Sequence, residues 1–263
     1  MIITEGRDCL VHDFHTHSVQ SGCGMHTVDE ILTYAAQKGV ESVNICDHGS
    51  AAGRKMNFGV IADPRRTPME VEIDLGGPMR FPKVRLLAGI EANILDDGST
   101  DIPDKATVAP NFQFHLVSAG FHSYAKELKA AKDPERNFKA LVKFVGDNPY
   151  LDILTHPCIA TFPLPTEKLI ALAKDYDFAL EVNNTNLAVN KTNMGLLKEM
   201  ILLALREGVT LLCNSDGHTW YELFECGLVR AFVEGEMGLK MKEVFPLNFG
   251  PWEDVRSWKG RND

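Results

Sequence analysis

No stretch of this 263-residue sequence stays apolar for the roughly 20 residues that a membrane-spanning helix needs. The first thirty residues set Glu5, Arg7, Asp8 and His12 among short apolar runs, which is not the pattern of a signal peptide. Cysteine is sparse: Cys9, Cys23, Cys46, Cys158, Cys213 and Cys226 form no CxxC pair and no dense framework, so a disulfide scaffold is excluded. They read as reduced thiols of a cytoplasmic protein. Low-complexity tracts, internal repeats and a linker between separately folded halves are also missing. So are Lys/Arg-rich runs, and with a net charge of −9 the chain offers no broad electrostatic footprint for nucleic acid. The acidity leaves an anionic substrate open, because bound divalent cations can dominate the field of a site.

What the sequence does contain is an alternation. Short apolar runs at Leu10–Phe14, Ser42–Cys46, Val84–Ile90, Phe114–Ala119, Leu151–Leu154, Phe178–Val182 and Thr210–Cys213 predict strands, several apolar on both faces. Segments of helical period lie between them. Thr27 and Glu30 have capping-box spacing ahead of Val28, Ile31, Leu32 and Ala35. Asp133 and Pro134 read as an N-cap and first-turn proline before Phe138, Leu141 and Val142. Met194, Leu197, Ile201, Leu202 and Leu205 form a third amphipathic face closed by Gly208, and Lys168–Tyr176 is a shorter helix. Such alternation predicts an α/β protein with a mainly parallel sheet. A barrel of these units takes about 250 residues, so one domain over residues 1–263 is expected. Gly49–Pro82 breaks the rhythm with Gly, Pro and charge, and reads as a long loop excursion suited to a lid or substrate loop.

The nine histidines inform by placement. His15 and His17 form H-x-H at the end of the first strand, where residues two apart share a face. The following runs end in Asp47–His48, Glu91, His122, His156 and Asp216-Gly-His218. Each alone reads equally well as a hydrogen-bonded histidine or a helix cap. Six strand ends doing the same thing point to one rim of a parallel barrel, where barrel active sites lie. His12 and His115 fall earlier in their strands and read as packing residues; Cys46 and Cys213 read as small core hydrophobes. Trp252 and Trp258 are open between an interface and packing on their own barrel.

These motifs, in this order from His15 to His218, resemble the PHP family, named for its polymerase and histidinol-phosphatase members. The stretches Gly89–Asn93, Thr155–Pro157, Glu181–Asn184 and Ser215–Thr219 look most like the small stand-alone bacterial members. The resemblance implies a distorted (β/α)7 TIM-like barrel and a phosphatase with three metals. It further implies one metal on His15, His17, Glu91 and Asp216, and a second sharing Glu91 and adding His122 and His156. A third would take His48, His218 and a ligand soon after H-x-H. Here the sequence departs from the pattern, because the register from His17 to His48 places Cys23 where the small members have histidine. Three readings stay open: Cys23 as a thiolate ligand favouring a softer cation such as zinc, His26 swinging in, or a third site left empty in a two-metal enzyme.

Imidazole and carboxylate donors together suit zinc, manganese or iron better than calcium. Two or three such cations can clamp a phosphoryl group and make water a usable nucleophile near neutral pH. The expectation is a phosphoesterase for a small phosphorylated metabolite, with His15, His17, Glu91, Asp216 and His218 carrying catalysis. Arg54, Lys126 and Asn183 are candidate substrate contacts, against the plainer reading of solvated charges and a loop amide. A PHP-type nuclease or exonuclease is the alternative enzyme, weighed down by the acidic chain and the lack of a polymerase segment. A non-catalytic metal-binding module is kept open by Cys23. A carbon–nitrogen hydrolase fits less well, since no strand end supplies a bridging lysine.

Overall fold

The Val-, Ile- and Leu-rich runs do form strands, and their β-branched, doubly apolar character suits a sheet buried on both faces. The computed structural model describes residues 9–49, 83–101 and 114–258, together with the backbone of 69–71. Its strands are β1 (His12–Thr16), β2 (Ser42–Ile45), β3 (Met69–Val71), β4 (Val84–Ile94), β5 (Leu116–Phe121), β6 (Ile153–Leu154), β7 (Ala179–Asn183) and β8 (Leu211–Asn214). They lie in the order β1-β2-β4-β5-β6-β7-β8, all parallel, with β3 paired antiparallel to β4. A parallel bridge from Thr16 to Gly217 brings the last strand back to the first. The result is a nearly closed, distorted (β/α)7 barrel in a single domain.

The gap between β1 and β8 is filled by a side chain. Asn248 donates to the carbonyls of His12 (2.8 Å) and Cys213 (2.6 Å) and accepts from the Cys213 amide at 2.8 Å. Its amide thus stands in for the ladder bonds that these edges do not make with each other.

The helices form where their caps and periods predict. Helix α1 (Val28–Lys38) has the full Thr27–Glu30 capping box and ends on Gly39 at φ 75°. Helix α2 (Lys126–Ala131) is short, and α3 (Pro134–Asp147) starts from the Asp133 cap. Next come α4 (Thr166–Tyr176), α5 (Asn184–Ala188) and α6 (Met194–Glu207), the last closed by Gly208 at φ 71°. Several strand ends differ from the runs in the sequence. Strand β4 continues to Ile94 because Ala92 and Ile94 still pair with Ala119 and Phe121, so Glu91 lies inside a strand rather than at its end. Strand β6 shrinks to two residues, and the Asp152 carboxylate, not a further ladder carbonyl, takes the Val117 amide at 2.8 Å.

A C-terminal helix, α7 (Trp252–Ser257), plugs the end of the barrel away from the rim. Val255, Trp252 and Trp258 pack with Phe14, Leu87, Leu116, Ile153, Ala179 and Leu212. The tryptophans therefore cover their own barrel, with Trp258 at 5.9 Å from the Phe14 ring. Among the described residues no helix is long and apolar enough to cross a membrane. The expected excursion at 49–82 lies outside the described residues, apart from Gly49 and the β3 backbone.

Candidate metal centre

The apolar floor of the barrel determines what lies above it. Two residues beyond Ile153, Ala179 and Leu212 come Thr155, Glu181 and Asn214, and four beyond Leu87 comes Glu91. Side chains two apart share a face and rise about 6.6 Å along the strand. A layer of Leu, Ile and Ala is thus succeeded by a layer of Glu, Thr and Asn, and then by the histidines of the rim.

Glu91 sits at the centre of that upper layer, 1% exposed. Its Oε1 lies 3.2 Å from Nε2 of both His122 and His156. Its Oε2 lies 2.9 Å from Nδ1 of His48 and 3.5 Å from Nε2 of His15 and of His17. Asp216 Oδ1 approaches the same two nitrogens, at 3.4 Å from His15 and 3.2 Å from His17. His156 (φ 35°) and Asp216 (φ 53°) hold left-handed backbone, a conformation that costs such residues about 1–3 kcal/mol and here turns side chains toward the mouth.

A second corner lies beside it. The ring of His17 stacks on that of His218 at 4.4 Å and is 4.6 Å from that of His48. Donor atoms of His17, Cys23, His48 and His218 all lie within 4.8 Å of one another. The loop that brings Cys23 there is tightly folded. Gly22 takes φ 69°, and a Cβ on Gly24 would stand 2.6 Å from the His17 carbonyl oxygen. His26 instead stacks on Trp220 at 3.8 Å and joins no such group among the described residues.

Behind these side chains is a supporting layer. Glu181, absent from the expected ligands, accepts from His15 Nδ1 at 2.7 Å, from the Asn214 and Asn183 amides, and from the His156 backbone N–H. That contact leaves Nε2 of His15 facing the centre. Thr155 donates to Glu91 Oε1 at 2.8 Å. Asp13 accepts from the Ser215 hydroxyl at 2.5 Å and from the His15 amide, and Asp47 ties down the amide and hydroxyl of Ser18. Glu181 interrupts the apolar run Phe178–Val182, whereas Asp13 lies beside His12 in the largely polar strand β1.

The expected substrate contacts differ in their surroundings. Both Asn183 donors go to Glu181 and Asp216 (2.9 and 3.0 Å), and its oxygen caps α5 through the Asn186 amide. Asn183 is thus committed to orienting the site rather than free to face a substrate. Lys126 is exposed at the start of α2, four residues after His122. Arg54 lies outside the described residues. His12 bonds Ser42 and the Gly250 carbonyl at the far end of the barrel, and His115 accepts from the Ala88 amide. Cys46 and Cys213 are buried in the core.

The electrostatics follow from burying so many like groups together. Burial pushes the Glu91 carboxyl up, but His122, His15 and His48 around it hold it well below the usual range. Asp216 is likewise held low by His15 and His17 against its burial. Burial drives His17 down to about 3, with His48 and His218 adding repulsion. Burial also lowers His48, yet Glu91 and Cys23 outweigh it and bring it to about 10. The Cys23 thiol, which burial would raise, falls to about 5 through His218, His48 and Ser21.

The donor set fits divalent cations. His48 Nδ1 and Glu91 Oε2 approach each other closely, yet neither makes a hydrogen bond. Two buried polar atoms left without a hydrogen-bond partner are what a cation site provides. Groups able to hold an ion include His15–His17–Glu91 and His48–Glu91–His122.

Comparison with known proteins agrees with this chemistry. No family model matches the chain. The chain is 33% identical over 215 residues to a probable phosphatase of Acetivibrio thermocellus, covering 81% of this chain and 82% of that one. It is 31% identical over 214 residues to a probable phosphatase of Shewanella oneidensis, covering 80% and 77%. In structure it is similar to the histidinol phosphate phosphatase of Lactococcus lactis, solved with zinc, L-histidinol and phosphate, at 15% identity, covering 87% and 94%, with a TM-score of 0.53. That likeness is one of fold.

Proposed function

This chain belongs to the PHP family of phosphatases, and from that premise we propose that it hydrolyses a small phosphorylated metabolite at the cluster around Glu91. One observation carries the reading: a buried carboxylate with ring nitrogens of five histidines within 3.5 Å. His15, His17, Glu91 and Asp216 would hold one cation, and Glu91, His122 and His156 a second. Zinc, manganese or iron bound there supplies Lewis acidity toward phosphoryl oxygens and lowers the pKa of water.

The protein's own part is positioning. Glu181 fixes the tautomer of His15, and Thr155 orients the shared Glu91 carboxylate. His15, His17 and Glu91 form a closed base, at most 1% exposed. The side chains of His48, His122 and His218, exposed by 15%, 16% and 24%, mark the open side across which a phosphate monoester enters. Lys126 on that rim, and Arg54 beyond the described residues, are the candidates for steering the anion.

The test is phosphate release from an aryl phosphate by protein loaded with manganese or zinc. Release that disappears with chelator and in Glu91→Gln and His218→Ala variants is the expected result. Fully loaded protein that releases no phosphate from any monoester would sink the reading.

A further inference from the structure

The three groups of donors differ in chemical hardness. The first pocket gathers two imidazoles and two carboxylates, and the second shares one of those carboxylates with two further imidazoles. The corner beside them has no carboxylate of its own; it has a thiol. Among the described residues Cys23 is the one sulfur donor in any group able to hold an ion, and its companions there are all imidazoles. Cys46 is buried nearby, but its thiol faces the carbonyls of Phe14 and Thr16.

We propose that Cys23, His48 and His218 form a thiolate–imidazole site that takes a thiophilic divalent cation, zinc or ferrous iron, beside the carboxylate-bridged pair. The inference rests on reading the cluster as a metal centre, and adds that its sites discriminate between metals. A tetrahedral zinc ion with bonds of about 2.0–2.3 Å spans donors about 3.3–3.8 Å apart. The donors here lie within 4.8 Å of one another, about 1 Å beyond that spacing at most. His17 Nε2 already faces His15 and Asp216, so the remaining three donors supply this corner and leave one position open.

The thiol is held for the purpose. Ser21, itself 2% exposed, places its hydroxyl 2.9 Å from Cys23 Sγ, 3.4 Å from His17 Nδ1 and 3.4 Å from the His48 amide. Gly22 and Gly24 on either side allow the chain to turn back over the His17 carbonyl. With sulfur in place of oxygen, manganese and magnesium lose their preferred donors while zinc and ferrous iron gain one.

The experiment loads the full chain with cobalt(II) and, separately, with zinc in excess manganese, and compares it with Cys23→Ala and Cys23→His. The wild-type protein is expected to show a thiolate-to-cobalt charge-transfer band in the near ultraviolet, absent from both variants. Cys23→Ala should lose about one metal equivalent per chain, and Cys23→His should keep its metal count while retaining less zinc against manganese. A loaded wild-type protein without the band, or a Cys23→Ala variant that keeps every equivalent, overturns the inference and leaves the phosphatase reading standing. A wild-type protein that binds no metal overturns both.

Discussion

Glu181 touches no predicted substrate path, yet it links two parts of the site. Its Oε1 holds His15 Nδ1 at 2.7 Å, and its Oε2 holds the His156 backbone at 2.8 Å. Replacing it with Gln keeps the shape and removes the charge that sets the His15 tautomer. Such supporting carboxylates are worth about 10–100-fold in metal affinity. Glu181→Gln is therefore expected to weaken metal binding by about that factor, read by competition with a chromophoric chelator, while circular dichroism stays unchanged. Equal affinity in the variant would show that the Glu181 charge is not needed to hold the ring. The histidine ligands were legible because each follows an apolar run; Glu181 and Asp13 were not, because an acid inside a strand carries no spacing signal of its own. For Asn183 the sequence left substrate contact, support of the site and a plain loop amide all open. Its position beside the mouth is visible in sequence, but only the fold shows that its donors and acceptor are all used.

At the scale of elements, one side-chain amide makes three hydrogen bonds across the seam between β1 and β8. Removing the Asn248 side chain orphans the His12 and Cys213 carbonyls and the Cys213 amide, at about 1–3 kcal/mol for each buried group left unpaired. Asn248→Ala is expected to lower stability by about 3 kcal/mol or more in urea unfolding; a loss below about 1 kcal/mol would show that water takes over the bonds. His12 gives the same seam a pH dependence. Burial holds its imidazole below the model-peptide value of 6.5, outweighing the Gly250 carbonyl and Glu41, which raise it. Its folded value is thus lower than its unfolded one, so this contribution is complete above pH 6.5 and is lost as pH falls toward the folded value. His12→Gln should flatten that part of the stability profile, and an unchanged acid limb would assign it to other groups. The capped helices α1, α3 and α6 were readable locally, whereas the two-residue β6 and the extended β4 were not, because their lengths depend on what neighbouring strands offer.

For the whole molecule, the proposed ligands come from β1, β2, β4, β5, β6 and β8 or the turns just after them, so cations would tie nearly the entire rim together. Metal at about 100 times its dissociation constant adds about 2.7 kcal/mol, or about 5–10 °C in Tm for a domain of this size. Calorimetry with and without chelator should show a drop of that order. No change would mean that cations do not bind the folded chain or that they bind the unfolded chain equally well. The sequence by itself determined the α/β alternation and the strand-end histidines, because side-chain period and strand-end placement are local properties written in order along the chain; the barrel was implied by the family resemblance. Which nitrogen meets which oxygen, the use of Asn248 as a seam and the meeting of Cys23 with His48 and His218 were decided only by the tertiary structure. Those contacts join residues up to 236 positions apart, and they arise from how a bulged, incompletely closed barrel brings its strand ends together.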